Sequence, residues 1–251
     1  MKRLLPGMSL VAAMLFVASS ALAGGLNLAW NNCASELGGV ANRTSACLLN
    51  GGTNSLVGSF VPTANLTGVT GIEVVLDLIT GDGTSNIPAW WDISGTGACR
   101  AGSLTANPTV NPANAVCIDW SNGAAAGGLA AYNTGGSIDP ANAAAHRRIV
   151  AGFAVSAASA ADLIGGQEYF ALNANINNAK TVGSPSCAGC STPVCVVLNS
   201  INAVIGTSPG EFIGTGVTAT SNFATWQGVG PSCALVPTRN ATWGQVKSLY
   251  H

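Results

Sequence analysis

Three cysteines within nine residues, in the run Cys187-Ala-Gly-Cys190-Ser-Thr-Pro-Val-Cys195, are the densest chemistry in this sequence. A C-x2-C pair is a common zinc half-site, and Cys233 would supply a fourth thiolate. The same spacing serves dithiol exchange when it opens a helix, whose N-terminus stabilises a thiolate. Here Pro185, Gly189 and Pro193 instead make the cluster a loop leading into a strand from Val194. Cys33, Cys47, Cys99 and Cys117 bring the total to eight, and an even count in an exported chain reads as a disulfide framework. Metal ligation by Cys187, Cys190, Cys195 and Cys233 is the competing reading. Disulfides are the default outside the cytoplasm, so we expect a scaffold with no metal and no cofactor.

The next candidates are aromatic and acidic. Trp90 and Trp91 are adjacent, so on a strand one indole faces the core and the other faces away. An exposed indole would stack on a sugar ring, with Asp92, or Asp119 beside Trp120, supplying hydrogen bonds. The competing expectation is that both rings are covered. Glycoside hydrolysis needs two carboxylates about 5 to 9.5 Å apart. Glu73 and Asp77 share a strand face but are separated by roughly 13 Å of backbone, and nothing aligns Glu36, Asp92, Glu168 or Glu211 with them. Nucleophilic hydrolysis wants a histidine base, and only His146 and the terminal His251 are present, without a G-x-S-x-G elbow. His146, beside Arg147 and Arg148, reads as a solvated helix end. The segment Asp82-Gly83-Thr84-Ser85-Asn86 has too few carboxylates for a calcium loop and reads as a polar hairpin turn. Asn173, Asn175 and Asn177 form a row of amides on one strand face.

Composition narrows the setting. Residues 1–23 have the form of an export signal: Lys2 and Arg3, an apolar run through Leu10, Val11, Met14, Leu15, Phe16 and Val17, then Ala21-Leu22-Ala23 before Gly24. Later apolar stretches are broken by Gly, Asn and Ser before reaching the about 18 residues a membrane helix needs. Charged residues make up 8% of the chain, and Arg147-Arg148 is the only adjacent basic pair after the signal, so nucleic acid is excluded as a partner.

These residues must be carried by strands. Segments resembling strands recur at Leu26–Trp30, Ser55–Val61, Gly71–Thr80, Ala89–Ile93, Ala115–Asp119, Arg148–Ser156, Glu168–Lys180, Val194–Ile205 and Gly216–Trp226. Ile72, Val74, Leu76 and Leu78 alternate with Glu73, Val75, Asp77 and Ile79, and Leu172, Ala174 and Ile176 alternate with the asparagine row. Each such strand has one buried and one wet face. Short helices are expected after Asp139-Pro140 and over Thr242 to Tyr250. The class is all-β, an antiparallel β-sandwich of immunoglobulin-like or jelly-roll-like form, with one or two short helices and disulfide braces.

Eight cysteines allow on the order of a hundred pairings. Proximity suggests Cys33 with Cys47 and Cys99 with Cys117, leaving one local bridge and one tie to the C-terminal segment among Cys187, Cys190, Cys195 and Cys233.

Leu26-Asn27-Leu28-Ala29-Trp30, the stretch 169–183, the cysteine cluster with its following V-V-L-N-S-I, and the ending 242–250 resemble a group of secreted bacterial proteins with no assigned activity. That resemblance implies export and a shared fold, and carries over no site residue. The strand layout is also similar in pattern to cohesin-type and immunoglobulin-like sandwiches, which bears on fold alone.

The sequence thus describes a signal peptide over 1–23 and a single secreted domain over 24–251 with a short helical tail. The expected role is non-enzymatic, as an exported cell-surface or extracellular protein in structure, adhesion or assembly. Its partners would be itself, other surface proteins or glycans. A carbohydrate-binding module using Trp90, Trp91 and Asp92 is the alternative, and a glycan hydrolase with an Asp/Glu pair is the third reading.

Overall fold

A computed structural model describes residues 25–33, 38–109, 117–134, 140–206, 212–214, 222–228 and 233. The export signal and the expected C-terminal helix lie outside them. The described chain is all-β, two sheets packed face to face. The smaller sheet runs β1 (Gly25–Trp30), β3 (Thr53–Val61), β10 (Tyr169–Asn177), β5 (Leu104–Asn107), with β6 (Ile118–Asp119) also pairing β10. The larger runs β2 (Asn42–Arg43), β13 (Phe223–Trp226), β11 (Val194–Ile205), β4 (Leu66–Thr80), β8 (His146–Ala154), β7 (Ala126–Thr134); β12 (Phe212–Gly214) joins β11, and β9 (Ala161–Leu163) joins β4. All pairings are antiparallel except β13 with β2 and β10 with β6.

The alternation read from the sequence determines which face meets the core. Ile72, Val74, Leu76 and Leu78 of β4 point inward, registered against Ala203, Ile201, Leu198 and Val196 of β11. On the other side Ile72, Val74 and Leu76 meet Phe153, Ala151 and Ile149 of β8. Leu172, Ala174 and Ile176 face them from the smaller sheet together with Leu26, Leu28, Leu56 and Phe60. Inward positions in β11 change from even to odd numbers because a bulge at Asn199 inserts one residue between Leu198 and Ser200. A bulge at Ala171 does the same in β10. The β11 bulge turns Asn199 onto the outer face, where its amide donates to the Asp77 carboxylate at 2.7 Å. Asp77, fully buried, is also held by Arg148 through two hydrogen bonds of 2.7 and 2.8 Å. The fork geometry of guanidinium on carboxylate stitches β4, β8 and β11 together.

Several elements differ from expectation. Ala89–Trp91 is a turn of 3-10 helix after Pro88, not a strand. Pro140–Ala145 is also 3-10, interrupted at Asn142, and His146 opens β8 as a buried residue instead of ending a helix in solvent. β7 has no strand signature in the sequence, because Ala-Gly-Gly-Leu-Ala-Ala is poor in strand formers, and it forms through its ladder with β8.

All eight cysteines are joined, as Cys33–Cys117, Cys47–Cys190, Cys99–Cys187 and Cys195–Cys233. The metal reading of the C-x2-C-x4-C cluster therefore gives way to disulfides, and the local pairs Cys33–Cys47 and Cys99–Cys117 are replaced by long-range ones. The tie of the C-terminal segment is Cys195–Cys233. Two bridges sit on the outer sheet faces. Cys33–Cys117 forms a small apolar cluster with Val57 and Phe170, and Cys195–Cys233 packs with Ile79, Val197 and Phe223. The other two converge on the loop between β10 and β11. Non-reducing peptide mapping is expected to recover these four pairs, and loss of Cys99–Cys187 in the double alanine variant should cost roughly 2 to 5 kcal/mol in chemical unfolding. Recovery of Cys33–Cys47 and Cys99–Cys117 peptides would contradict the topology.

Candidate functional site

Trp90 and Trp91 are fully buried, so the proposed sugar platform does not exist. The physical reason lies in the 3-10 turn. Successive side chains there are separated by about a third of a turn, not placed on opposite faces, so both rings enter the core. They meet edge to face at 5.1 Å, while Trp90 stacks on Trp226 at 5.0 Å and Trp226 also meets Trp30 at 5.8 Å. The Trp90 indole N–H donates to Thr181 Oγ1 at 2.9 Å. Asp92 is half-buried, and its carboxylate accepts from the Cys99 N–H at 3.1 Å, closing the loop between them.

Arg100, which no local sequence pattern marks, is 1% exposed among these tryptophans. Its guanidinium lies 3.6 Å from the Trp90 ring centroid. It donates to the carbonyls of Ala179 at 2.8 Å, Trp90 at 2.5 Å and, by a shorter contact, Asn177. Burial pulls Arg100 down to about 10, which leaves it charged at neutral pH. Burial also pushes the phenol of Tyr132 up; its hydroxyl donates to the Trp91 carbonyl. Both groups serve the packing of this end.

The carboxylates are dispersed and occupied. Glu168 accepts from Asn27 at 2.7 Å and Ser59 at 2.6 Å. Asp119 closes the turn through Ser121 and Gly123, and Asp162 accepts from the Gly68 N–H. Asp82 accepts from Ser85, Thr84 and Thr80, which hold its carboxyl well below the usual range. This turn leads from β4 to Ile87, whose N–H reaches Ala144 O, so it is not the hairpin expected from the sequence. Among the described residues no three His, Cys, Asp or Glu side chains group to hold a metal. Glu36 and Glu211 lie outside the described residues.

On the asparagine row, Ser55 Oγ lies 2.9 Å from Asn173 Oδ1 and 2.7 Å from Asn175 Oδ1. A hydroxyl has one proton, so one of these amides must be turned to donate its NH2 to Ser55. Asn177 Oδ1 accepts from the Ala179 N–H at 3.0 Å, leaving the row knitted into its own sheet.

Two surface features remain. The first is a furrow of about 570 Å³ across the outer face of the larger sheet. It follows from register: Val204, Gly71, Ala154 and Ala126 form one cross-strand row, and Asn202, Glu73, Gly152 and Gly128 the next. Small residues on β8 and β7 leave the floor low. At Gly152 an added Cβ would meet nothing within 4 Å, whereas one at Gly127 would lie 2.0 Å from the Gly152 carbonyl oxygen. Glu73 stands in this apolar setting, where desolvation raises its carboxyl above the usual range. The second feature is Leu48-Leu49, each 72% exposed. The chain matches no protein-family model, no curated protein and no solved structure.

The Glu73 shift has a measurable sign. With its folded pKa above the unfolded one, the folded state retains the proton longer, so stability falls as pH rises from the unfolded value through the folded one. Glu73→Gln is therefore expected to raise the melting temperature at pH 7, with the gain shrinking below about pH 4, where the acid is protonated in both states. Equal melting temperatures at pH 7 would show that Glu73 is well solvated.

Proposed function

We propose that this chain is an exported, disulfide-braced structural protein that acts by contact, in adhesion or assembly outside the cytoplasm, and catalyses no reaction. The observation that carries this reading is the use made of the reactive side chains. All eight cysteines are cross-linked. Every described tryptophan is in the core. The acids at Asp77, Asp82, Asp92, Asp119, Asp162 and Glu168 are spent on turns, strands and an ion pair. What faces outward includes polar amides, small residues and a few large aliphatics, Val40, Ile118, Ile164 and, most exposed among the described residues, Leu48 and Leu49.

Disulfides of this density suit an oxidising compartment and a chain that must persist there. No described helix is long and apolar enough to cross a membrane. The export reading adds the Lys2-Arg3, apolar and Ala21-Leu22-Ala23 pattern.

Expression of the full chain in a bacterium with an intact secretion route tests this. The protein is expected in the exported fraction, beginning at Gly24 and showing no free thiol under denaturing titration. Cytoplasmic protein retaining residues 1–23 with eight titratable thiols would overturn the reading.

A further inference from the structure

Leu48 and Leu49 are exposed on a loop that is fastened on both sides. Cys47 is bonded to Cys190. Just before it, Ser45 and Gln227 exchange hydrogen bonds, Ser45 N–H to Gln227 Oε1 at 3.2 Å and Gln227 Nε2 to Ser45 O at 3.0 Å. Just after, Asn50 and Val182 do the same at 3.1 and 2.9 Å. Asn178 then binds the carbonyls of Gly51 and Gly52, each at 3.0 Å. Two large aliphatic side chains are thus presented to water by a loop with little freedom to withdraw them. Keeping them there forgoes apolar burial that a partner surface would recover.

The same chain has a receptacle at its other end. The furrow lies where β4 begins to pair with β8, at Gly71 and Glu73, while Cys190 precedes Val194, the β11 residue paired with Thr80. Nine residues of β4 separate Gly71 from Thr80, or roughly 30 Å. Charge differs between the two ends. The described charged residues at the furrow end are acids, Glu73, Asp119, Asp162 and Glu168. The leucine loop is bordered by Arg43, which donates to Asn54 and Asn31, and by Lys180, which donates to the Cys99 carbonyl, with Asp82 and Asp92 nearby closed into their own turns. A knob and a hole at opposite ends cannot meet within one molecule. Between copies they make a heterologous contact, which propagates instead of closing.

We propose that copies of this chain associate head to tail, the Leu48-Leu49 knob of one copy seating in the Gly152-floored furrow of the next, with the exposed Lys180 on the side of the acidic furrow end. This deepens the structural reading above by naming its partner. The contact is small, so a single junction is weak and the array depends on high local concentration.

Complementation by two variants of the mature chain tests it. Leu48→Asp with Leu49→Asp removes the knob; Gly152→Leu fills the hole at a position whose own surroundings leave room. In sedimentation equilibrium, the unaltered chain is expected to grow in mass with concentration beyond a dimer. Each variant alone should lose about tenfold or more in association constant. An equimolar mixture should form a one-to-one dimer that grows no further, because only one intact junction is available. Near-ultraviolet circular dichroism of the buried tryptophans, unchanged in both variants, shows that the fold is retained. A wild-type chain that stays monomeric throughout would overturn the proposal, as would a mixture that fails to dimerise. Leucine-dependent binding to phosphatidylcholine vesicles by a monomeric chain would assign the knob to a lipid surface instead. A chain exported and fully oxidised but monomeric sinks only this inference, whereas a reduced cytoplasmic chain sinks the structural reading itself.

Discussion

The rest of the molecule is organised around a buried cation without a carboxylate. Arg100 is removed from water and surrounded by backbone carbonyls and the face of Trp90. Taking a guanidinium out of water costs several kcal/mol even after relaxation. Hydrogen bonds to a charged group return about 1.5 to 3 kcal/mol each, and a desolvated cation–π contact about 2. These contacts offset that cost. What Arg100 does is specify: its acceptors come from the end of β10, from the loop following it and from the Trp90 turn. If any one of those segments moves, a buried charge loses its solvation. The tryptophans fill the space so defined, and the loop of residues 178–193 lies across them.

The four disulfides divide around this arrangement. Cys47–Cys190 and Cys99–Cys187 fasten that loop to the two segments beside it, and the Cys190 carbonyl also accepts from the indole of Trp226 at 2.6 Å and from Gln227 at 3.0 Å. Cys33–Cys117 and Cys195–Cys233 hold flanking chain over the outer sheet faces, each inside a small apolar cluster. One end of the sandwich is therefore cross-linked and packed with aromatic rings, and it is this end that displays Leu48 and Leu49. The opposite end has the glycine-lined furrow and the partly desolvated Glu73. The rigid end can present a shape and the low-relief end can receive one.

How much of this was legible in the sequence depended on the range of the interactions involved. Period-two alternation is local, so Ile72 to Leu78 and Leu172 to Ile176 declared their inner faces directly. The parity change from Val196 and Leu198 to Ile201 and Ala203 was also present, though a bulge is recognisable only once the partner strand is known. Disulfide partners depend on tertiary approach of loops far apart in the chain, and local proximity misled at Cys33, Cys47, Cys99 and Cys117. Trp90 and Trp91 lie on a turn where a strand is expected, and Pro88 ahead of them is its local signal. The furrow could not be read at all, since Gly71, Gly128 and Gly152 become neighbours only through register. Leu48-Leu49 was visible as two large aliphatics between a cysteine and an Asn-Gly-Gly turn, but its exposure follows from how the loop is tied.

The central claim is that the oxidised, arginine-centred end is one rigid unit holding the knob in place. Hydrogen exchange on the native oxidised protein tests it most directly. The amides of Trp90, Asn178, Val182 and Cys187, which donate to Ala188 O, Gly52 O, Asn50 Oδ1 and Lys180 O, should exchange slowly, at rates comparable with the central strands β4 and β11. Exchange at these four amides as fast as in an unstructured loop, with β4 and β11 still protected, would contradict the account.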